Sequence, residues 1–152
     1  REWEAALFAS TTPKTRKIAM RISLVMGKSG GVYPVLRRLA KFGLAGKMGT
    51  GKQRFSWVHV KDVVGIVDFL IENESIEGPV NCTAPEVPTN KEIIKELRGS
   101  LNVSIGIPPP AFLLKIGGMI VGTESDLILG SRWVVPKRLL DNGFKFKFSN
   151  PR

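Results

Sequence analysis

One run of apolar residues limits the folds available to this chain. Lys17 to Gly27 is almost continuously hydrophobic, which is typical of a parallel β-strand covered on both faces. Val32 to Phe42 follows after a glycine-containing loop, and its apolar spacing predicts a basic amphipathic helix. A buried strand followed by such a helix favours the α/β class, in which helices cover a mostly parallel sheet.

The same alternation continues along the chain. We expect strands at 55–60 and 79–83, helices at 63–72 and 90–101, and further helical segments at 112–121, 124–129 and 136–140. Thr89 and Glu92 have the spacing of a capping box, which predicts a helix starting at residue 90. Asp62 is expected to help start the preceding helix, at 63–72. The alternating residues Phe144, Phe146 and Phe148 predict a short final strand.

The number of buried strands indicates that part of a sheet is missing. Only two or three long buried strands are predicted, and a doubly wound sheet needs more. Arg1 to Ala9 reads as a helix already in progress, without a capping residue or an initiator Met. We therefore expect the chain to be the C-terminal, substrate-facing part of a larger α/β enzyme.

Composition restricts partners and location. The net charge of +10 favours an anionic partner, although a solvated basic surface is the alternative. The cations are spread along the chain, so nucleic acid is not the expected partner. Cys82 is the single cysteine and is predicted to be a buried, inert thiol. A lone cysteine suits a reducing compartment, and no apolar run reaches the roughly 18 residues of a membrane span. A cytoplasmic protein is expected.

The sequence alone offers few candidates for catalytic, metal-binding or phosphate-binding residues. His59 is the only histidine, so no zinc ligand set is present and no metal is expected; a structural hydrogen bond is favoured over a role as catalytic base. Gly43 to Lys52 predicts a flexible loop or hairpin, with a phosphate-contacting loop as the alternative. Arg54 follows this loop and is either a solvated strand-edge residue or a ligand for a diphosphate.

A longer block of sequence narrows these alternatives. Gly46 to Val64 closely resembles the Gly-x-Gly-x-Gln-x-x-Ser-Trp-Ile-His-x-x-Asp segment of NAD(P)-dependent nucleoside-diphosphate-sugar epimerases that are atypical extended members of the short-chain dehydrogenase/reductase superfamily. Four further segments resemble this family in the expected order: Trp3 to Ala6, Met20 to Gly27, Gly78 to Glu86 and Thr89 to Glu92. The tail from Pro136 to Phe146 resembles its small C-terminal domain, so the resemblance spans nearly the whole chain.

This resemblance implies a fold and a division into domains. It implies a partial Rossmann-like NAD(P)-binding fold, its C-terminal half, together with a small, mostly helical substrate domain. Residues 1–105 would complete the epimerase/dehydratase domain with a substrate-side insert, and residues 106–152 would form the small C-terminal domain. The cofactor would be NAD or NADP, with its main site in the N-terminal half.

The resemblance also implies roles for particular residues. Arg21, Ile22 and Ser23 match the strand end that faces the cofactor. The residues expected to contact substrate are Gly30, Gly31, Arg54, Trp57 and His59. The only tyrosine, Tyr33, is followed four residues later by Arg37, so the superfamily's Tyr-x-x-x-Lys pair is not present and no catalytic residue is assigned.

The function implied for the intact protein is epimerisation of a nucleotide sugar by reversible hydride transfer to a bound nicotinamide. The expected partner is a small molecule resembling a nucleotide sugar, and this part would be inactive alone. An unpaired edge of the incomplete sheet would also allow a homodimer. The alternative is a non-catalytic protein that senses NAD(P) or binds a partner on the same fold, so whether the protein is an enzyme stays open.

Overall fold

The computed structural model describes residues 2–29, 32–108 and 131–151. The helices predicted at 112–121 and 124–129 lie outside these residues. The described part contains helices and strands in the following order: α1 (Glu2–Ala9), β1 (Ile18–Ile22), β2 (Leu24–Met26), α2 (Tyr33–Lys41), β3 (Trp57–His59), α3 (Val60–Glu72), β4 (Gly78–Cys82), α4 (Asn90–Ser100) and α5 (Lys137–Asp141). The predicted mixed α/β class is confirmed. None of the helices in these ranges is long and apolar enough to cross a membrane.

Within the described ranges, two pairs of parallel strands form the sheet structure. β1 pairs with β4, so that Ile18 lies opposite Gly78, and β2 pairs with β3, so that Leu24 lies opposite Trp57. The prediction of one continuous strand from 17 to 27 is wrong. The strand is interrupted at Ser23, whose N–H donates to Cys82 O at 3.1 Å. The chain therefore changes its partner from β4 to β3 at this residue, which an apolar run cannot reveal.

The β2–β3 pair separates two hydrophobic clusters. Because side chains alternate along a strand, Met26 and Trp57 join one cluster with residues of α2 and α4. Val58 belongs to the other, with residues of α3, β4 and α5, and Val25 packs against it. Cys82 is completely buried in this second cluster, as predicted, and burial raises the pKa of its thiol to about 12. The thiolate is therefore disfavoured at neutral pH.

The glycine-rich segment from 43 to 52 is a loop rather than a hairpin. Gly46 N–H donates to Ile107 O at 2.9 Å, and Lys91 N–H donates to Gly51 O at 3.0 Å. Gly51 has a φ of +71°, which residues with a side chain rarely adopt. The loop thus joins the residues after α4 to the start of α4.

The starts of α3 and α4 test two capping predictions. The capping box at α4 is confirmed, because Glu92 N–H donates to Thr89 Oγ1 and Thr89 N–H donates to Glu92 Oε2. The prediction that Asp62 starts α3 is wrong. The helix begins at Val60, and the side chain of His59 caps it.

The predicted final strand at 144–148 is also wrong. No strand forms there, and the phenylalanine rings make aromatic contacts instead of a β ladder. Phe144 makes edge-to-face contacts with Phe69 and Phe146, whereas Phe148 stacks on His59. Hydrophobic alternation therefore reflects ring packing here and not a β ladder.

Candidate functional site

A cleft of about 220 Å³ opens beside the carboxyl ends of β2 and β3. In open α/β sheets, ligands bind outside the carboxyl ends of parallel strands. Residues of both strands, of α2 and α4 and of the C-terminal tail line this cleft: Met26, Gly27, Lys28, Tyr33, Leu36, Trp57, His59, Ile93, Ile94, Leu97, Phe148, Asn150 and Pro151. Its position and its aromatic lining make it the candidate site.

Trp57 and His59, both predicted to contact substrate, line this cleft. They are two residues apart on β3, so their side chains leave the same face of the strand. Trp57 is buried, and its Nε1–H donates to Glu86 O at 3.1 Å. The ring is therefore held in one orientation, with its remaining surface available to shape the cleft.

His59 has a structural role that the sequence favoured. Its Nδ1 accepts the Lys61 N–H at 3.2 Å and so caps α3. Burial lowers the pKa of His59. The negative charge of Asp62 raises this pKa, and the positive charge of Lys61 lowers it further. The neutral imidazole, which can accept the capping hydrogen bond, is therefore favoured.

The C-terminal tail forms the outer wall of the cleft, and Asp62 holds it there. Asp62 is 1% exposed, and its carboxylate accepts the N–H groups of Lys147 at 2.8 Å and Phe148 at 3.0 Å. The ring of Phe148 then stacks on His59 with centroids 3.8 Å apart. Glu86 N–H adds a third attachment by donating to Ser149 O.

Arg54 does not line this cleft. Its Nη1–H donates to Val87 O at 3.0 Å, and its guanidinium lies 5.0 Å from the ring centroid of Trp133. The backbone of Arg54 also pairs with Ser131 and Arg132. A guanidinium has five N–H donors, so these contacts orient the group while donors are left for an anion.

Arg21, Ile22 and Ser23 lie together where β1 ends. The guanidinium of Arg21 binds the Glu4 carboxylate through Nε and Nη2, both at 2.7 Å, and this hydrogen bonding raises the pKa of Arg21. The side chain of Ile22 is 48% exposed. Ile22 therefore exposes apolar surface at the end of β1.

Two of the predicted substrate-contacting residues are not described by the structure, and several residues that were not predicted line the cleft. Gly30 and Gly31 lie outside the described residues. Tyr33, Lys28 and Phe148 line the cleft but were not predicted as site residues. The alternating phenylalanines of the tail were the available signal for Phe148, but alternation was interpreted as a strand. No group of three or more potential metal ligands occurs among the residues that the structure describes.

Comparisons with known proteins agree with this geometry. Residues 109–152 match the family described as a domain of unknown function, DUF1731, and this match lies within the predicted segment 106–152. The mouse epimerase family protein SDR39U1 is 30% identical over 152 residues, which are 99% of this chain and 50% of the mouse protein. The chain thus spans about half the length of the curated relatives it matches.

Solved structures of epimerase family proteins also resemble this chain. A human epimerase family protein SDR39U1 crystallised with NADPH shares 28% identity and a TM-score of 0.86, over 99% of this chain and 50% of that protein. A nucleoside-diphosphate sugar epimerase from Corynebacterium glutamicum shares 25% identity and a TM-score of 0.68, over 90% of this chain and 24% of that protein.

The described residues form parallel strands and helices, and the likeness to the human and Corynebacterium glutamicum structures places the chain in the Rossmann-type α/β class. Within that class, the chain corresponds to the C-terminal half of epimerase family proteins. The predicted family relationship is therefore confirmed. The expected cofactor class, NAD or NADP, agrees with the NADPH in the human structure.

Proposed function

We propose that this chain supplies the substrate-facing half of an NAD(P)-dependent nucleoside-diphosphate-sugar epimerase. The observation that carries the proposal is the cleft beside the carboxyl ends of β2 and β3, lined by Trp57 and His59. The human relative contains NADPH, and the Corynebacterium glutamicum protein is named a nucleoside-diphosphate sugar epimerase. Both similarities favour a dinucleotide cofactor and a nucleotide-sugar substrate.

In this proposal, each predicted residue has a defined part. A bound NAD(P) would supply reversible hydride transfer at a sugar carbon, and the residues of this chain would hold and orient the two ligands. Ile22, between Arg21 and Ser23, offers an exposed apolar surface for the cofactor ring, and the salt bridge from Arg21 to Glu4 holds this strand end against α1. Arg54 binds the diphosphate with the donors that Val87 O does not use. Trp57, His59 and the loop with Gly30 and Gly31 surround the substrate.

Three further parts of the proposal concern domain organisation, location and assembly. Residues 1–105 act as the C-terminal part of the epimerase/dehydratase domain, with a substrate-side insert, and residues 106–152 act as the small C-terminal domain. The protein works in the cytoplasm. A homodimer of this part of the protein would form if the edge of β1 that does not face β4 in the described residues pairs with a second copy.

The first experiment is calorimetric titration of the intact protein with NADH, NADPH and UDP-glucose. We expect one of the dinucleotides and the nucleotide sugar to bind. Arg54→Ala should weaken UDP-glucose binding about tenfold or more, because a charge-assisted contact to the diphosphate is lost, and should leave dinucleotide binding unchanged. Arg37→Ala, an exposed arginine on α2, is the matched control and should bind both ligands like the wild type.

The other outcomes separate the alternatives. Dinucleotide binding without nucleotide-sugar binding would favour the second candidate, a non-catalytic protein that senses NAD(P). If neither ligand binds, the protein is not an oxidoreductase of this kind. Binding of short duplex DNA that weakens steeply with salt would instead indicate a nucleic-acid partner for the basic surface.

A further inference from the structure

The size of the cleft limits what it can hold. Pockets that bury whole drug-sized ligands have volumes of roughly 300–1,000 Å³, whereas this cleft measures about 220 Å³. The described residues alone therefore do not enclose a complete nucleotide sugar or dinucleotide. The cleft therefore suits one ring of a larger ligand, with the rest of that ligand outside.

The walls of the cleft favour a flat ring. Four aromatic side chains line it: Tyr33, Trp57, His59 and Phe148. His59 and Phe148 already stack with an interplanar angle of 26°, so they present a combined surface fixed by two backbone hydrogen bonds to Asp62. Aromatic faces bind planar heterocycles by stacking and do so with little regard to the ring's identity.

The charges around the cleft favour an anionic ligand. Among the described residues that line the cleft there is no carboxylate side chain, whereas Lys28 lies directly after Gly27 at the end of β2. A phosphate next to the bound ring would meet this ammonium group and no opposing charge from the lining.

From these observations we propose that the cleft binds the planar heteroaromatic ring of a nucleotide, with Phe148 as a stacking residue and Lys28 next to the phosphate. The inference rests on the proposed function for the choice of nucleotides. It assigns the ring to a place separate from the guanidinium of Arg54, which lies on Trp133. The ring is the base of the substrate or the nicotinamide of the cofactor.

Calorimetry on the intact protein tests this inference with three small probes: UMP, nicotinamide mononucleotide and ribose 5-phosphate. We expect UMP or nicotinamide mononucleotide to bind and ribose 5-phosphate, which has no ring base, to bind at least tenfold more weakly. The mononucleotide that binds more tightly identifies the source of the ring. Phe148→Leu should weaken that binding about tenfold, as expected for the loss of one stacking partner. Phe8→Leu, which changes an aromatic residue of α1 outside the cleft, should have no effect.

Three results would overturn the inference: equal affinity for ribose 5-phosphate and the mononucleotides, unchanged affinity in Phe148→Leu, or no binding of either mononucleotide. If UDP-glucose still binds in a manner that depends on Arg54, only the assignment of the ring fails and the proposed function stands. If UDP-glucose and both mononucleotides fail to bind, both proposals fail. A circular dichroism spectrum of Phe148→Leu identical to that of the wild type establishes that the variant is folded.

Discussion

At the scale of single residues, Asp62 and His59 connect the C-terminal tail to the start of α3. Asp62 is buried and accepts two backbone N–H groups of the tail, and His59 caps the helix and stacks on Phe148. Sequence reasoning assigned Asp62 to the helix start, since Asp is a common capping residue. The actual partners are 85 and 86 residues away, and no local pattern indicates them.

Removing the Asp62 carboxylate should destabilise the protein. Asp62→Ala leaves two partly buried N–H donors without their acceptor, and hydrogen bonds to a charged group contribute about 1.5–3 kcal/mol each. We expect the free energy of unfolding to fall by about 3 kcal/mol, measured by urea denaturation. Asp68→Ala changes an exposed carboxylate on the same helix. This substitution should change the free energy of unfolding by less than about 0.5 kcal/mol. Equal effects of the two substitutions would contradict the role of Asp62.

Stability should depend on pH through His59. Burial lowers its pKa in the folded protein, so the unfolded chain takes up a proton first as the pH falls through its ordinary value of about 6.5. The contribution of neutral His59 to stability is fully present above that pH and is lost as the pH falls toward the pKa of His59 in the folded protein. We therefore expect a lower urea midpoint at pH 5.5 than at pH 7.5.

The variant His59→Asn isolates this effect. Asn is a good capping residue but does not titrate, and His59 is the only histidine of these 152 residues. The difference between the midpoints at pH 7.5 and pH 5.5 should become smaller in this variant. An unchanged difference would assign the pH dependence to other groups.

At the scale of elements, the loop from 43 to 46 packs against the segment after α4. A Cβ atom at Gly46 would lie 2.4 Å from Pro108 N and 2.5 Å from Ile107 C, and both of these are backbone atoms that cannot move independently. Loop and segment are also joined in both directions by hydrogen bonds, from Gly46 N–H to Ile107 O and from Ile107 N–H to Gly43 O. This close approach explains why a glycine stands at position 46.

Gly46→Ala should therefore be destabilising by about 1–3 kcal/mol, the usual cost of forcing extra volume into a packed site. Gly99→Ala is the matched control, since a Cβ at Gly99 in α4 meets nothing within 4 Å. Alanine is the better helix former, so this variant should gain about 0.5–1 kcal/mol. Thermal or urea unfolding of the two variants measures both changes. A stable Gly46→Ala variant would show that the two segments can separate without cost.

At the scale of the whole molecule, Cys82 reports on global unfolding. The thiol is completely buried in the cluster between β4 and α3, and its raised pKa of about 12 keeps it protonated. A thiol reagent should therefore react only through opening of this cluster, because the thiolate is the reactive form.

Labelling with a thiol reagent at pH 8 should be at least about a thousandfold slower in the native protein than in urea, given stabilities of about 5 kcal/mol or more for folded domains. A variant with Cys82→Ser supplies the blank. Rapid labelling without denaturant would mean that this cluster opens locally. Asp62→Ala should accelerate labelling if the tail contributes to the same cooperative unit.

The sequence by itself determined the features that depend on neighbours in the chain. These are the α/β alternation, the capping box at Thr89 and Glu92, and the burial of Cys82 within an apolar run. The resemblance of Gly46 to Val64 to epimerases placed Trp57 and His59 in one motif, and the comparisons confirm the family relationship of the chain. Such features follow from local propensity and periodicity, which act over a few residues.

Only the tertiary structure shows that the chain changes its strand partner at Ser23. It also shows that the ring of Phe148 packs on His59 and forms one wall of the cleft. Each results from contacts between distant parts of the chain. The backbone groups of Ser23, Lys147 and Phe148 needed partners on burial, and these were available at Cys82 and Asp62. Hydrophobic alternation predicts which residues are buried but not what covers them, so the shape of the site depended on the fold as a whole.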